Sequence, residues 1–215
     1  MSNPDLLRLM TWLSPAFPVG AYTYSHGLEA AIEQGWVTDR SSLQVWLDDL
    51  LEFGAPRNDG IFIQAVFAGG DPLELDELAQ AMQPARELLA ESVGQGKALL
   101  RAMRQVWPDL TAGAPKELTY PIALALAAKA AGLDGGAVIQ AYLHAFIANL
   151  VSAAVRAIPL GQTDGLLVLA AFEGKIQAQA AIVQTLTLDD LGSSVMRNDL
   201  ASMLHETQHT RLFRS

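Results

Sequence analysis

The sequence predicts an all-α fold, a single-domain bundle of about ten helices over residues 1–215, and three observations carry that expectation. Hydrophobic residues make up 51% of the chain but aromatics only 7%; Ala and Leu dominate, which suits closely packed helices better than a β-sandwich rich in Val, Thr and Tyr. Apolar residues recur at helical spacing, broken by Pro, Gly, Asp and Asn where helices start and stop. No period-2 alternation of β-branched residues persists beyond a few positions, and no solenoid repeat or low-complexity linker divides the 215 residues. A chain of this length can bury one substantial core.

Taken in order, Asn3 caps a first helix with Pro4 at its opening position and Leu6, Leu7, Leu9, Met10 and Leu13 as its apolar face. Ser14–Gly20 breaks it, and the Pro- and Gly-rich stretch through Gly27, with exposed-looking aromatics, has the composition of a functional loop. Leu28, Ala31 and Ile32 lead to a terminating Gly35; Thr38 or Asp39 restarts a helix through Leu43, Trp46, Leu47, Leu50 and Leu51. Asn58 and Asp59 cap the next. Pro72 opens another, and Pro84 begins a long helix from Leu88 to Trp107, which Pro108 stops. Pro121 starts an Ala-rich helix ending near Gly132. A helix bearing a polar or small stripe of Gln140, His144, Ala148, Ser152 and Arg156 follows, then Pro159 and Gly161, a helix through Leu166–Leu186, a break at Asp189 and Asp190, and a more polar amphipathic segment over residues 198–215.

The balance of 14 basic against 23 acidic residues gives a net charge of −9, which repels nucleic-acid phosphates and anionic lipid, so neither is an expected partner. With no cysteine, disulfides, thiolate nucleophiles and sulfur-ligated metals are excluded. The opening residues carry an early acid and no basic n-region, so they do not read as a signal peptide and the cytoplasm is expected. Ala137–Val155 is uncharged and long enough to span a bilayer, but its Ala content, its polar stripe and the lack of a flanking basic cluster favour a bundle helix over a membrane span.

The sharpest local motif is His205-Glu206-Thr207-Gln208-His209, which matches H-E-x-x-H, two imidazoles on one helix face with a glutamate base between them. Read as chemistry, it suggests a metal-dependent hydrolase. No third histidine follows, so a solvent-facing histidine pair is the plainer reading. Gly94-Gln95-Gly96-Lys97 resembles a phosphate loop only superficially, since Glu91 stands where the first glycine is required and Ala98 where Ser or Thr is needed; close helix crossing explains the glycines better. Asp48, Asp49, Glu52, Asp76 and Glu77 read as solvated faces, and His26 and His144 as isolated histidines. The N-terminal aromatic loop and the ending Arg211-Leu212-Phe213-Arg214-Ser215 remain, and Arg with aromatics is the composition of interface anchors.

Three blocks together resemble the UreF family of urease accessory proteins: Leu13–Glu29; Asn149–Arg156 with Pro159–Gly165; and Met203–Ser215. The resemblance implies an all-α, non-enzymatic scaffold without cofactor or resident metal. It implies a protein that dimerises, binds UreD (UreH in some systems) and with it recruits the GTPase UreG to insert nickel into apo-urease. By the same resemblance the partner-binding residues are Pro18, Gly20, Tyr22, Tyr24 and His26; Asn149, Arg156, Gly161, Gln162 and Asp164; and His205, Glu206, Gln208, Arg211, Leu212, Phe213 and Arg214. Residues 198–215 are then a partner-docking tail, with Leu212 and Phe213 anchoring in partner pockets and Arg211 and Arg214 pairing at the rim. His209 stands where the family often has an aromatic, and Leu204 where a basic residue is frequent, so the second histidine of the hydrolase motif is not a family feature.

Overall fold

The computed structural model describes residues 3–215, with side chains from residue 5 onward, so the expected Asn3 cap with Pro4 lies outside the described side chains. Among the described residues there are ten α-helices and no strand. They are α1 (Asn3–Trp12), α2 (Leu28–Glu33), α3 (Arg40–Phe53), α4 (Ala55–Phe67), α5 (Pro72–Ala81), α6 (Arg86–Val106), α7 (Tyr120–Ala130), α8 (Gly135–Ala157), α9 (Gln162–Val183) and α10 (Met196–His205). The all-α expectation holds.

Most boundaries follow the sequence signals. Asp39 caps α3 through the backbone N–H of Ser42, whose side chain caps in return, and Asp71 caps α5 ahead of Pro72. Trp107 and Pro108 end α6 in a short 3-10 turn, and Gly132 closes α7 at a φ of 70°. One boundary differs: α4 begins at Ala55, so Asn58 and Asp59 lie inside it rather than capping it. Pro56 can open that helix because a proline at the first positions sacrifices no intrahelical bond. Asn58 is buried instead, accepting the Gly192 N–H.

The helix α8 runs through the middle, packed against α9, α4, α7, α2 and α3, while α6 pairs with α7 and α10 with α2. Val138, Ile139, Leu143, Ile147, Leu150 and Val151 fill its inner face. The Gln140, His144, Ser152 and Arg156 stripe lies on the opposite, exposed side. Two helices, α8 and α9, are long and apolar enough to cross a membrane by length and composition; 56% of the most apolar window of α8 is buried inside the bundle, against 33% for α9.

Gly96 lets α6 approach the start of α7, because a Cβ there would stand 2.0 Å from the Leu118 carbonyl oxygen. That contact, with Gly94–Lys97 in mid-helix, confirms the close-crossing reading over a phosphate loop. Asp76, expected on a solvated face, is instead buried: it accepts from the Thr119 N–H at 2.6 Å and the Thr119 hydroxyl at 2.8 Å, tying α5 to the start of α7. Asp48 does face outward, paired with Lys175.

Candidate functional site in the C-terminal segment and its cradle

Beyond α10 the chain does not project away. Residues 206–215 fold back between α2, the start of α6 and the end of α8, beside the loop of residues 14–27. The Arg214 N–H donates to the Thr23 carbonyl at 2.8 Å and the Ser25 N–H to the Ser215 carbonyl at 2.8 Å. Phe213 is buried within its own chain, 4% exposed, with the Arg156 guanidinium 4.6 Å from its ring centre. Leu212 beside it is 71% exposed. Phe213 therefore already occupies a pocket of this chain, because its ring is the one large apolar group of the segment that α8 can cover; Leu212 is the residue left facing outward.

Carboxylates hold the segment. Glu29 on α2 accepts the N–H groups of Leu212 at 2.6 Å and Phe213 at 3.0 Å, so a side chain takes the place of a strand partner for otherwise unpaired backbone donors. Glu87 on α6 receives the Arg211 guanidinium at 2.6 Å, and Glu91, one turn further, receives the Ser215 hydroxyl at 2.6 Å. Arg211 also donates to the carbonyls of Glu206 and Gln208, which folds the segment into a tight loop. Gln208 donates to the Thr210 carbonyl. Glu206 reaches back to accept the Arg86 N–H at 2.8 Å, capping α6, whose own N-cap position is Ala85. That bond and the Arg86 side chain hold the Glu206 carboxyl below its ordinary range.

His205, expected to face solvent, is fully buried. Its Nδ1 stands 2.6 Å from a Glu87 oxygen and its Nε2 3.3 Å from a Glu29 oxygen. The helix α10 ends at His205, and His209 is exposed in the turn beyond it. The two imidazoles therefore do not share a helix face, and both nitrogens of the first are engaged by carboxylates. The metal-hydrolase geometry is not formed.

The loop of residues 14–27 supplies the other wall. Gly20 takes a φ of 78° before a 3-10 turn over Ala21–Thr23. Pro18 and Tyr22 are exposed, but Phe17 and Tyr24, expected to be exposed with them, are buried. The Tyr22 carbonyl accepts from Arg156 at 2.8 Å and the Tyr24 carbonyl from Asn149 at 3.3 Å; Arg214 lies over the Tyr24 ring. His26 carries the one positive φ of a described non-glycine residue, 52°. Its carbonyl takes the Asn198 side-chain N–H, its ring packs on Phe146, and its Nε2 meets Glu91 at 2.9 Å. Burial pushes the His26 imidazole down, but the Glu91 charge and hydrogen bond outweigh that and leave it above its ordinary value. Gly27 follows at a φ of 75°, and a Cβ there would strike Ser202 of α10 at 2.7 Å, so glycine is required twice over.

A cleft of about 690 Å³ adjoins this junction, bounded by α1, α4, α6 and α8 and floored by Asp59, Glu91, His26 and Tyr142. Tyr142 donates to Asp59 at 2.5 Å. Burial raises the Asp59 carboxyl to about 6 against the opposing pull of that hydrogen bond and of His26, and burial together with Asp59 raises the Tyr142 phenol strongly.

Thus the structure unites the first and third predicted blocks with Asn149 and Arg156. Gly161, Gln162 and Asp164 stand apart, at the exposed start of α9, where Asp164 pairs with Arg40 at 3.2 Å. Sequence reasoning missed Glu29, Glu87 and Glu91 as cradle residues. The available signal was the i, i+4 spacing of Glu87 and Glu91 on α6, together with Glu29 at the end of the first block.

Fold and site define an all-helical protein whose buried polar groups clamp its own C-terminal segment to an N-terminal loop. A family model described as UreF matches residues 37–173. The chain is 48% identical to the urease accessory protein UreF of Azorhizobium caulinodans, with 99% of this chain and 96% of that protein covered. It is also 48% identical to that of Cereibacter sphaeroides, with 98% of each covered, and 47% identical to one from Rhodopseudomonas palustris, covering 99% and 92% respectively. The chain belongs to the UreF family.

Proposed function

We propose that this protein is a urease maturation factor, a non-catalytic scaffold that binds UreD (UreH), helps recruit the GTPase UreG and so supports nickel insertion into apo-urease in the cytoplasm. The observation that carries the reading is near full-length similarity to proteins named urease accessory protein UreF, over an alignment that includes both the loop and the C-terminal segment. The geometry is consistent with a scaffold: His205, the first histidine of the hydrolase-like motif, is engaged by Glu29 and Glu87. The clamp also leaves a defined outer face. Leu212 and Tyr22 are exposed apolar groups, ringed by the Arg211–Glu87 and Arg86–Glu206 ion pairs and by Arg214 over the Tyr24 ring. An exposed apolar group within a charged rim is what a partner protein would recognise. Self-association through α9 is part of this proposal, supported by the exposed Leu166, Leu167 and Ile182 on that helix.

The test is urease activity and nickel content in cells with the full urease operon and equal levels of urease subunits. This gene is compared intact, deleted, truncated after Met203, and carrying Leu212→Glu. Deletion and truncation are expected to leave nickel-poor, inactive urease, and Leu212→Glu to weaken capture of UreD. Fully active urease at limiting nickel in the deletion strain overturns the reading.

A further inference from the structure

Ionised carboxylates only accept hydrogen bonds, and a neutral imidazole has one donor and one acceptor. His205 nonetheless stands between two carboxylates, within hydrogen-bond distance of Glu87 on one side and Glu29 on the other. The same two carboxylates already accept other donors: Glu29 from the Leu212 and Phe213 N–H groups, Glu87 from Arg211. Glu29 thus accepts backbone N–H groups at both of its oxygens, and Glu87 accepts Arg211 at the oxygen turned away from the ring. A neutral ring would aim a lone pair at one of them, and in a fully buried setting water is not at hand to intervene. Two ionised carboxylates on opposite sides of the ring call for two donors, which only a doubly protonated ring supplies.

We propose that the C-terminal segment, residues 206–215, is a proton-dependent latch, held over α2 and α6 while His205 is doubly protonated and released when the ring loses a proton. The groups facing the ring are Glu29 from α2 and Glu87 from α6; Arg211 neutralises the far side of Glu87. Next outward are Glu91 of α6 with His26 of the loop, and Glu206 with Arg86. The docked state holds one proton more than a released state with neutral His205. Linkage then favours release as pH rises, by about tenfold per pH unit above the midpoint. The His26–Glu91 pair has the same sign but holds only Ser215 directly. The latch is a property of the isolated chain, independent of any role in urease maturation.

The test is histidine 15N NMR with amide-exchange protection factors for Leu212 and Phe213, on the full chain from about pH 5.5 to about pH 9. The expected result is a ring protonated on both nitrogens at the acid end, with Leu212 and Phe213 protection falling about tenfold per pH unit as it titrates. Amides of Leu143 and Ile147 in α8 should keep theirs. In Glu87→Gln the introduced amide can donate to Nδ1 of a neutral ring, so docking should persist with the pH dependence flattened. In His205→Gln the segment should be loose at every pH. A neutral His205 ring beside a protected segment, protection unchanged across the range, or full pH dependence retained in Glu87→Gln overturns the latch.

Discussion

The middle of the bundle and the C-terminal segment are both buried, but by opposite means. Along α8, burial comes from Leu143, Ile147, Leu150 and Val151, each at most 3% exposed, meeting other apolar side chains. Around the segment it comes from three glutamates, two histidines and backbone donors, with Phe213 as the main apolar contribution. Apolar contacts are non-directional and insensitive to protonation, whereas a carboxylate cradle works only while its donors and charges match. The first region should therefore determine whether the protein folds, and the second whether one part of it stays closed.

Leu150→Ala is the largest expected effect. Its side chain is fully buried, and the residual cavity should cost about 2 to 5 kcal/mol in denaturant unfolding. Glu29→Ala should behave differently. It strips acceptors from Leu212, Phe213 and His205, groups that cost about 1 to 3 kcal/mol when left buried and unpaired. The segment escapes that cost by undocking into water, so global stability should fall by less than in Leu150→Ala while trypsin cleavage after Arg211 accelerates. Equal losses for the two variants would show that segment and bundle unfold as one unit, and the contrast would break.

This division also explains what could be read from the sequence. Helices α3, α5, α6 and α7 announce themselves through caps, prolines and apolar spacing, all within a few residues of one another. The cradle joins residues far apart in sequence: Glu29 to Phe213, Glu87 to His205, Arg86 to Glu206. No local pattern encodes which glutamate meets which N–H. The polarity of residues 206–215 pointed to a partner, and the structure shows that Glu206, Arg211 and the Leu212 and Phe213 N–H groups are also engaged within the chain, while the buried Gln208 Oε1 is left without a partner. Asp59 misled for a similar reason. Its position beside Asn58 looked like a cap, but Pro56 had already opened the helix, and the carboxyl serves the cleft and Tyr142 instead.

Asp59 sharpens the comparison from the polar side. Burial pushes its carboxyl up to about 6 in the folded state, against 3.8 for an unperturbed aspartate. Because the folded value is raised, the folded state disfavours the ionised form. That cost is absent at acid pH, where both states are protonated, grows as pH rises from the unfolded toward the folded value, and is fully present above it. Asp59→Asn keeps an acceptor for Tyr142 and removes the buried charge, so it should stabilise the protein by about 1 to 2 kcal/mol at neutral pH. Thermal unfolding at a series of pH values should show the gain shrinking as pH drops below 6. A constant gain would mean that the carboxyl is not titrating.

The smallest effect on stability is expected on α9, where an apolar surface is exposed rather than buried. Leu167 is 48% exposed, so Leu167→Glu should alter the unfolding free energy of the isolated chain by about 0.5 kcal/mol or less. If two copies associate through this helix, the same substitution places a charge in the interface and should shift the sedimentation profile to monomer. A change in assembly without a change in folding would separate what α9 does for the fold, through Val168, Phe172 and Ile176 on its buried side, from what its outer side does for association. A dimer that survives Leu167→Glu moves the self-association surface away from the centre of α9, leaving the α8 stripe of Gln140, His144 and Ser152 as the next exposed face to charge.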